Sequence, residues 1–178
     1  VSMDANAGKP VSPDATKGTL KIAASDKTGR DHRAHGMLSY VGEHYARYQG
    51  SGKYFIQTGA QSPENFFAYY EFDDTVDHGG AKNPLRDGLH RYQPHVKDWK
   101  SGDPTWQGGK GKGIIGALNY LAGKGMNTFY TLTMNIDGDG QEIYPWTTYE
   151  ERARYDVSKM AQWGIVMSHM DRLGMQLM

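Results

Sequence analysis

The sequence predicts an α/β fold with an incomplete parallel sheet, and three observations carry that prediction. Residues 127–134 (NTFYTLTM) are rich in β-branched and aromatic side chains, as a buried parallel strand should be. Residues 156–174 then read as a helix, with Asp156 as N-cap, apolar residues at Met160, Trp163, Met167 and Met170 on one face, and Gly174 to close it. Residues 175–178 open another apolar run. Strand, helix and strand form a β-α-β unit, whose strands pair in parallel through a right-handed crossover. Two parallel strands leave faces and edges uncovered. The expectation is therefore a truncated sheet.

The upstream elements follow in order. Residues 1–18 are small, polar and rich in Pro and Gly, and read as a flexible lead-in. Residues 19–65 read as a β-rich segment. Residues 19–23 alternate polar and apolar, and residues 37–41, 44–48 and 53–57 are short aromatic and β-branched runs. Gly42-Glu43 and Gly50-Ser51-Gly52 separate the last three, which predicts a short antiparallel meander. Residues 66–178 make up the α/β part. It opens with FFAYYEF (66–72), a buried strand or ordered loop. Residues 73–112 are irregular, with Pro84, Pro94 and Pro104, but Tyr92, His95, Trp99 and Trp106 argue against disorder. Ile114, Ile115, Leu118 and Leu121 share one helical face, which Gly123 or Gly125 can close.

Composition excludes several function classes. The chain has 178 residues, with 20 Lys+Arg against 20 Asp+Glu, so no broad basic surface invites nucleic acid or an anionic membrane. No stretch approaches the ~20 apolar residues of a membrane span. Without cysteine there are no disulfides, thiol chemistry or Cys-based zinc sites. The 38% hydrophobic content is low in aliphatics, which leaves aromatics and nine Met to build much of the core.

The run DGLHRYQPHVKDWKSGDPTWQGGKGKGIIGALNYLAGKGMN (87–127) is followed by TMN, GDG, PW and YDVSKMAQW. Together with GEHYARYQGSGKYFIQTGAQSPENFFAYYEFDDT (42–75), these motifs resemble a family of bacterial glycoside hydrolases. Those proteins carry an N-terminal β-sandwich, a (β/α)8 barrel, and often a C-terminal domain likened to a collagen-binding module. The likeness covers roughly residues 18–178. It departs at Tyr70 and Asp74, where an acidic residue and a glycine are expected, and across residues 76–82, which look like an added stretch. The resemblance implies that residues 66–178 are the first strands and helices of a TIM-type barrel, preceded by the end of a sandwich. It also implies an extracellular or periplasmic protein acting on a polysaccharide or oligosaccharide. Its catalytic carboxylates are expected beyond Met178, so the chain alone is expected to hydrolyse nothing. The alternative is a non-catalytic carbohydrate-binding or structural module.

On the barrel reading, the loop after residue 134 leaves the C-terminal end of a strand, where barrel enzymes place their sites. Asn135, Asp137 and Asp139 are then candidates to bond sugar hydroxyls, Tyr144 and Trp146 to face a sugar ring, and Asp73 to line the cleft mouth. Other motifs carry less. Gly111, Gly113 and Gly116 match G-x-G-x-x-G, but a Pro/Trp/Gly loop precedes them where a strand is required, so they read as helix-opening glycines, with a nucleotide site as the rival. Asn135, Asp137 and Asp139 mimic the start of a calcium loop, yet Trp146 stands where the bidentate Glu belongs. The seven His show no metal-binding spacing. The adjacent pairs Asp73-Asp74 and Glu150-Glu151 point to opposite sides of an extended chain. No cofactor, metal or catalytic residue is assigned from the sequence, and no oligomeric state.

Overall fold

The computed structural model describes residues 17–60, 64–78, 88–135 and 141–178. Two three-stranded sheets organise them. The first is an antiparallel meander of β1 (Leu38–Tyr40), β2 (Ala46–Tyr48) and β3 (Tyr54–Phe55), in register Leu38 to Tyr48 and Ala46 to Phe55. The expected strand at residues 19–23 does not form. Leu20 and Ile22 stand 85% and 86% exposed, and no strand among the described residues pairs with them.

The second sheet is parallel, in the order β4 (Gly59–Ala60), β5 (Thr128–Phe129) and β6 (Gln176–Leu177). Helix α1 (Lys112–Gly123) lies between β4 and β5 in the chain, and α2 (Val157–Leu173) between β5 and β6. Asn127 ties β4 to β5, since its Oδ1 accepts from Thr58 N–H at 2.8 Å and its amide donates to the Ile56 carbonyl at 2.9 Å. Strand β4 comes from the segment read in the sequence as the end of a sandwich.

The barrel start expected from the sequence is corrected here. The chain forms a small mixed α/β domain with two three-stranded sheets, and α1 and α2 are the only long helices among the described residues. The reason lies in where the backbone groups go. The run expected to be a strand over 127–134 turns away after Thr131: Leu132 N–H donates to the Glu64 carbonyl, and Asn135 N–H to the Ile143 carbonyl. The parallel strands are accordingly two residues each, and loops take the bonds that longer strands would share.

Apolar faces meet between the helices and the aromatic run. Ile114, Ile115 and Leu118 of α1 and Trp163, Val166 and Met170 of α2 pack on Phe66, Phe67, Phe72 and Trp106. Phe72 and Trp106 stack with centroids 5.4 Å apart. Asp156 caps α2 by accepting from Lys159 N–H at 2.9 Å, and Gly174 ends it at φ 67°. The buried face of α2 differs from the expected one: Met160 is 40% exposed, while Lys159, Gln162 and His169 are buried. The meander joins this core through Arg30, which donates to the carbonyls of Ala122 and Met126 at the end of α1.

Candidate functional site

The long loops between the parallel strands are braced by buried polar side chains. Lys159, one turn into α2 and 1% exposed, donates to the carbonyls of Asp74 (2.9 Å), Trp146 (3.2 Å) and Tyr144 (3.3 Å). Burial pushes its ammonium down to about 8. Asp74 sits at φ 45°, the left-handed region, at the position where the resemblance calls for glycine. Its carbonyl also accepts from the Tyr144 hydroxyl at 2.7 Å.

This bracing decides what the sequence-predicted residues do. Asp73 takes a hydrogen bond from the Ser158 hydroxyl and another from Gln107 at 2.7 Å, while its own N–H donates to Gln162. These donors, Ser158 foremost, hold its carboxyl below the usual range. Tyr144 is 2% exposed, with its ring beneath the Lys159 ammonium and beside His78. Trp146 is 8% exposed and lies under Arg152. Asp73, Tyr144 and Trp146 therefore converge on one brace. The rings of Tyr144 and Trp146 are covered, which leaves neither as an open platform for a sugar. Asn135 is half-buried and closes its loop through Ile143. Asp137 and Asp139 lie outside the described residues, and with them most of the calcium-like loop.

A second cluster, not singled out in the sequence, holds the more reactive chemistry. Glu142 is 2% exposed, two residues before Tyr144. Its Oε1 accepts from the Asn65 amide at 2.6 Å, and Asn65 Oδ1 accepts from His90 Nε2 at 2.8 Å. Its Oε2 is buried and has no hydrogen-bond partner among the described residues. Burial raises the Glu142 carboxyl above its ordinary value, and the neighbouring Asp77 charge adds to that. Burial lowers His90, so the imidazole is neutral and Nε2 carries the proton given to Asn65. Gly88 separates the two acids. Its N–H donates to Asp77 Oδ2 at 2.5 Å, and a Cβ there would stand 3.3 Å from Asp77 Cγ and 3.5 Å from Glu142 Cδ. The two carboxyl carbons are thus at most about 7 Å apart, which does not exceed the roughly 5–9 Å at which paired carboxyls flank a glycosidic bond. Asn65, Asp77, His90 and Glu142 are too scattered along the chain for any local motif to reveal them. The loop position of Glu142, after GDG and before PW, is the one signal available.

The glycine motif at α1 has a packing explanation. A Cβ on Gly116 would meet the His95 carbonyl at 1.9 Å, and one on Gly113 the Arg91 carbonyl at 2.6 Å. These glycines let the 3-10 segment Gln93–Asp98 lie directly on α1. The helix N-terminus already holds an anion, because Glu71 Oε2 accepts from Gly111 N–H at 2.8 Å and from the Tyr69 hydroxyl. A phosphate would have to displace that carboxylate, so the nucleotide reading finds no support. No group of three or more His, Asp or Glu among the described residues is arranged to hold a metal ion. No described helix is long and apolar enough to cross a membrane. The chain matches no known family model, no curated protein and no solved structure.

Proposed function

We propose that this chain belongs to a carbohydrate-processing hydrolase whose acid pair, in contrast to the carboxylates that the resemblance implies beyond Met178, lies within it, with Glu142 as the proton-donating carboxyl and Asp77 as its partner. The observation that carries the reading is the Glu142 carboxyl, 2% exposed and one short span from a second acid across Gly88, with burial raising it above its ordinary value. Asn65 fixes the accepting role of Oε1, so the acid proton belongs on Oε2, where no group among the described residues receives it. A glycosidic oxygen is a fitting acceptor, and a carboxyl whose protonated form is favoured by burial is suited to serve as general acid. Oε2 is covered, so substrate reaches it only after a neighbouring segment moves. The family likeness of the loop sequences points to the same substrate class, and an extracellular or periplasmic location goes with it.

The test is hydrolysis of a panel of 4-nitrophenyl glycosides and neutral polysaccharides by the chain and by Glu142→Gln. Turnover that falls about 10²–10⁴-fold in the variant is expected. Equal rates in the two proteins, or no product from any substrate, would remove the assignment.

A second reading, a non-catalytic carbohydrate-binding or structural module, is favoured by the covered state of Glu142 Oε2, and since Tyr144 and Trp146 are covered too, any sugar would bind elsewhere on the surface. There the acid network only fixes the loops. Oligosaccharide binding without turnover, unchanged in Glu142→Gln, distinguishes it.

A further inference from the structure

A cavity of about 160 Å³ opens between α1 and the parallel sheet, away from the brace around Lys159. Phe129 of β5 and Phe66 form one wall, with ring centroids 4.5 Å apart and crossed at 63°. Tyr92 extends that wall at 4.9 Å from Phe66, and its hydroxyl is spent on the Phe66 carbonyl at 2.9 Å. Ala117 of α1 faces the space with a single methyl, where a longer side chain would fill it. Tyr120, 43% exposed, is the outermost lining residue, and its ring lies 4.8 Å from that of His95. His95 Nδ1 is engaged with Asp98 at 3.0 Å, so the polar atoms that the lining side chains keep for a guest are His95 Nε2 and the Tyr120 hydroxyl.

We propose that this cavity binds the single aromatic ring of a small molecule. Size is the first argument. An enclosed apolar cavity of about 150 Å³ takes up benzene, and this pocket of similar volume, open to solvent at Tyr120, has room for one such ring. Chemistry is the second. A pyranose would carry several hydroxyls into a lining whose side chains offer only the His95 imidazole and the Tyr120 hydroxyl, and each unmet hydroxyl costs more than ring contact returns. An arene has no such groups, and its edges and faces match the crossed rings of Phe66 and Phe129. The site is separate from the acid pair and does not depend on the carbohydrate reading.

The experiment is a methyl-resolved NMR titration of the full chain with toluene, phenyl β-glucoside and methyl β-glucoside. Toluene is expected to shift the Ala60 and Ala117 methyl resonances in a saturable manner, and methyl β-glucoside to leave them in place. Ala117→Leu, which fills the space, should reduce the toluene response at least tenfold. Phenyl β-glucoside separates the sources of the ring. Shifts at lower concentration than toluene identify an aryl group carried on a sugar, and weaker shifts identify a free arene. No saturable shift with either aryl probe, or an equal response to methyl β-glucoside, overturns the proposal. The wild-type titration decides the matter without the variant should Ala117→Leu fail to fold.

Discussion

The Lys159 ammonium lies 3.9 Å from the centroid of the Tyr144 ring and donates to the carbonyl of that same residue at 3.3 Å. One cation thereby holds both ends of a tyrosine, and through the Asp74 and Trp146 carbonyls it holds two loops that are far apart in sequence. Lys159→Met keeps the aliphatic packing but removes all three donors. The expected cost is about 2–4 kcal/mol, because buried carbonyls lose their partners. It should be read as a lower urea midpoint with an unchanged slope.

Acid should weaken the fold through its histidines. Burial lowers His32, His90 and His169 below their ordinary value. The unfolded chain then binds protons more readily than the folded one, so the stability these groups contribute is present above about pH 6.5 and is lost as pH falls through their folded values. The melting temperature should drop between about pH 6.5 and 5. His169→Asn, which can still bond Asn119, should flatten that drop.

Glu142 acts in the opposite direction. Its raised folded value means that the folded chain keeps a proton the unfolded chain releases, so its contribution is fully present below about pH 4.5 and is lost as pH rises through the folded value. Glu142→Gln cannot ionise. The stability of the variant relative to wild type should therefore rise with pH, as followed by denaturant melts at pH 4 and pH 8. A pH-independent difference would show that the carboxyl ionises normally.

Two glycines in helices should respond with opposite signs. Gly116→Ala puts a methyl 1.9 Å from the His95 carbonyl and must push the 3-10 segment off α1. A loss of about 3 kcal/mol or more is expected, since the obstacle is backbone. Gly164 in α2 has nothing within 4 Å of its would-be methyl. Gly164→Ala should gain roughly 0.5–1 kcal/mol from helix propensity. Thermal melts of the two variants decide both.

The sequence makes the local features legible. Asp156 and Gly174 bracket α2 as expected, because a cap depends only on residues a few positions away. On the buried face of α2, Trp163 and Met170 are buried as expected, but Met160 is exposed, and the neighbouring loops bury Lys159 instead by offering it three carbonyls. The extent of β5 was misread for a similar reason. Residues 132–134 have strand composition, but Glu64 and Ile143 take the backbone bonds on either side. Glu142 escaped notice because Asn65 and Asp77, the residues that define its chemistry, are 77 and 65 positions upstream. Of the residues expected at a sugar site, Asp73, Tyr144 and Trp146 are near one another in space, yet what gathers them is Lys159, a residue of no evident role in the sequence.

The carboxylate of Glu71 against Gly111 N–H has a consequence for how α1 responds to solution conditions. The positive pole of that helix is neutralised from within the chain, by a group already fixed through the Tyr69 and Tyr70 hydroxyls. Dissolved sulfate or phosphate has no vacant place there. The seating of α1 on the aromatic core should thus be indifferent to which buffer anion surrounds it, in contrast to helices whose first turn lies open to the medium.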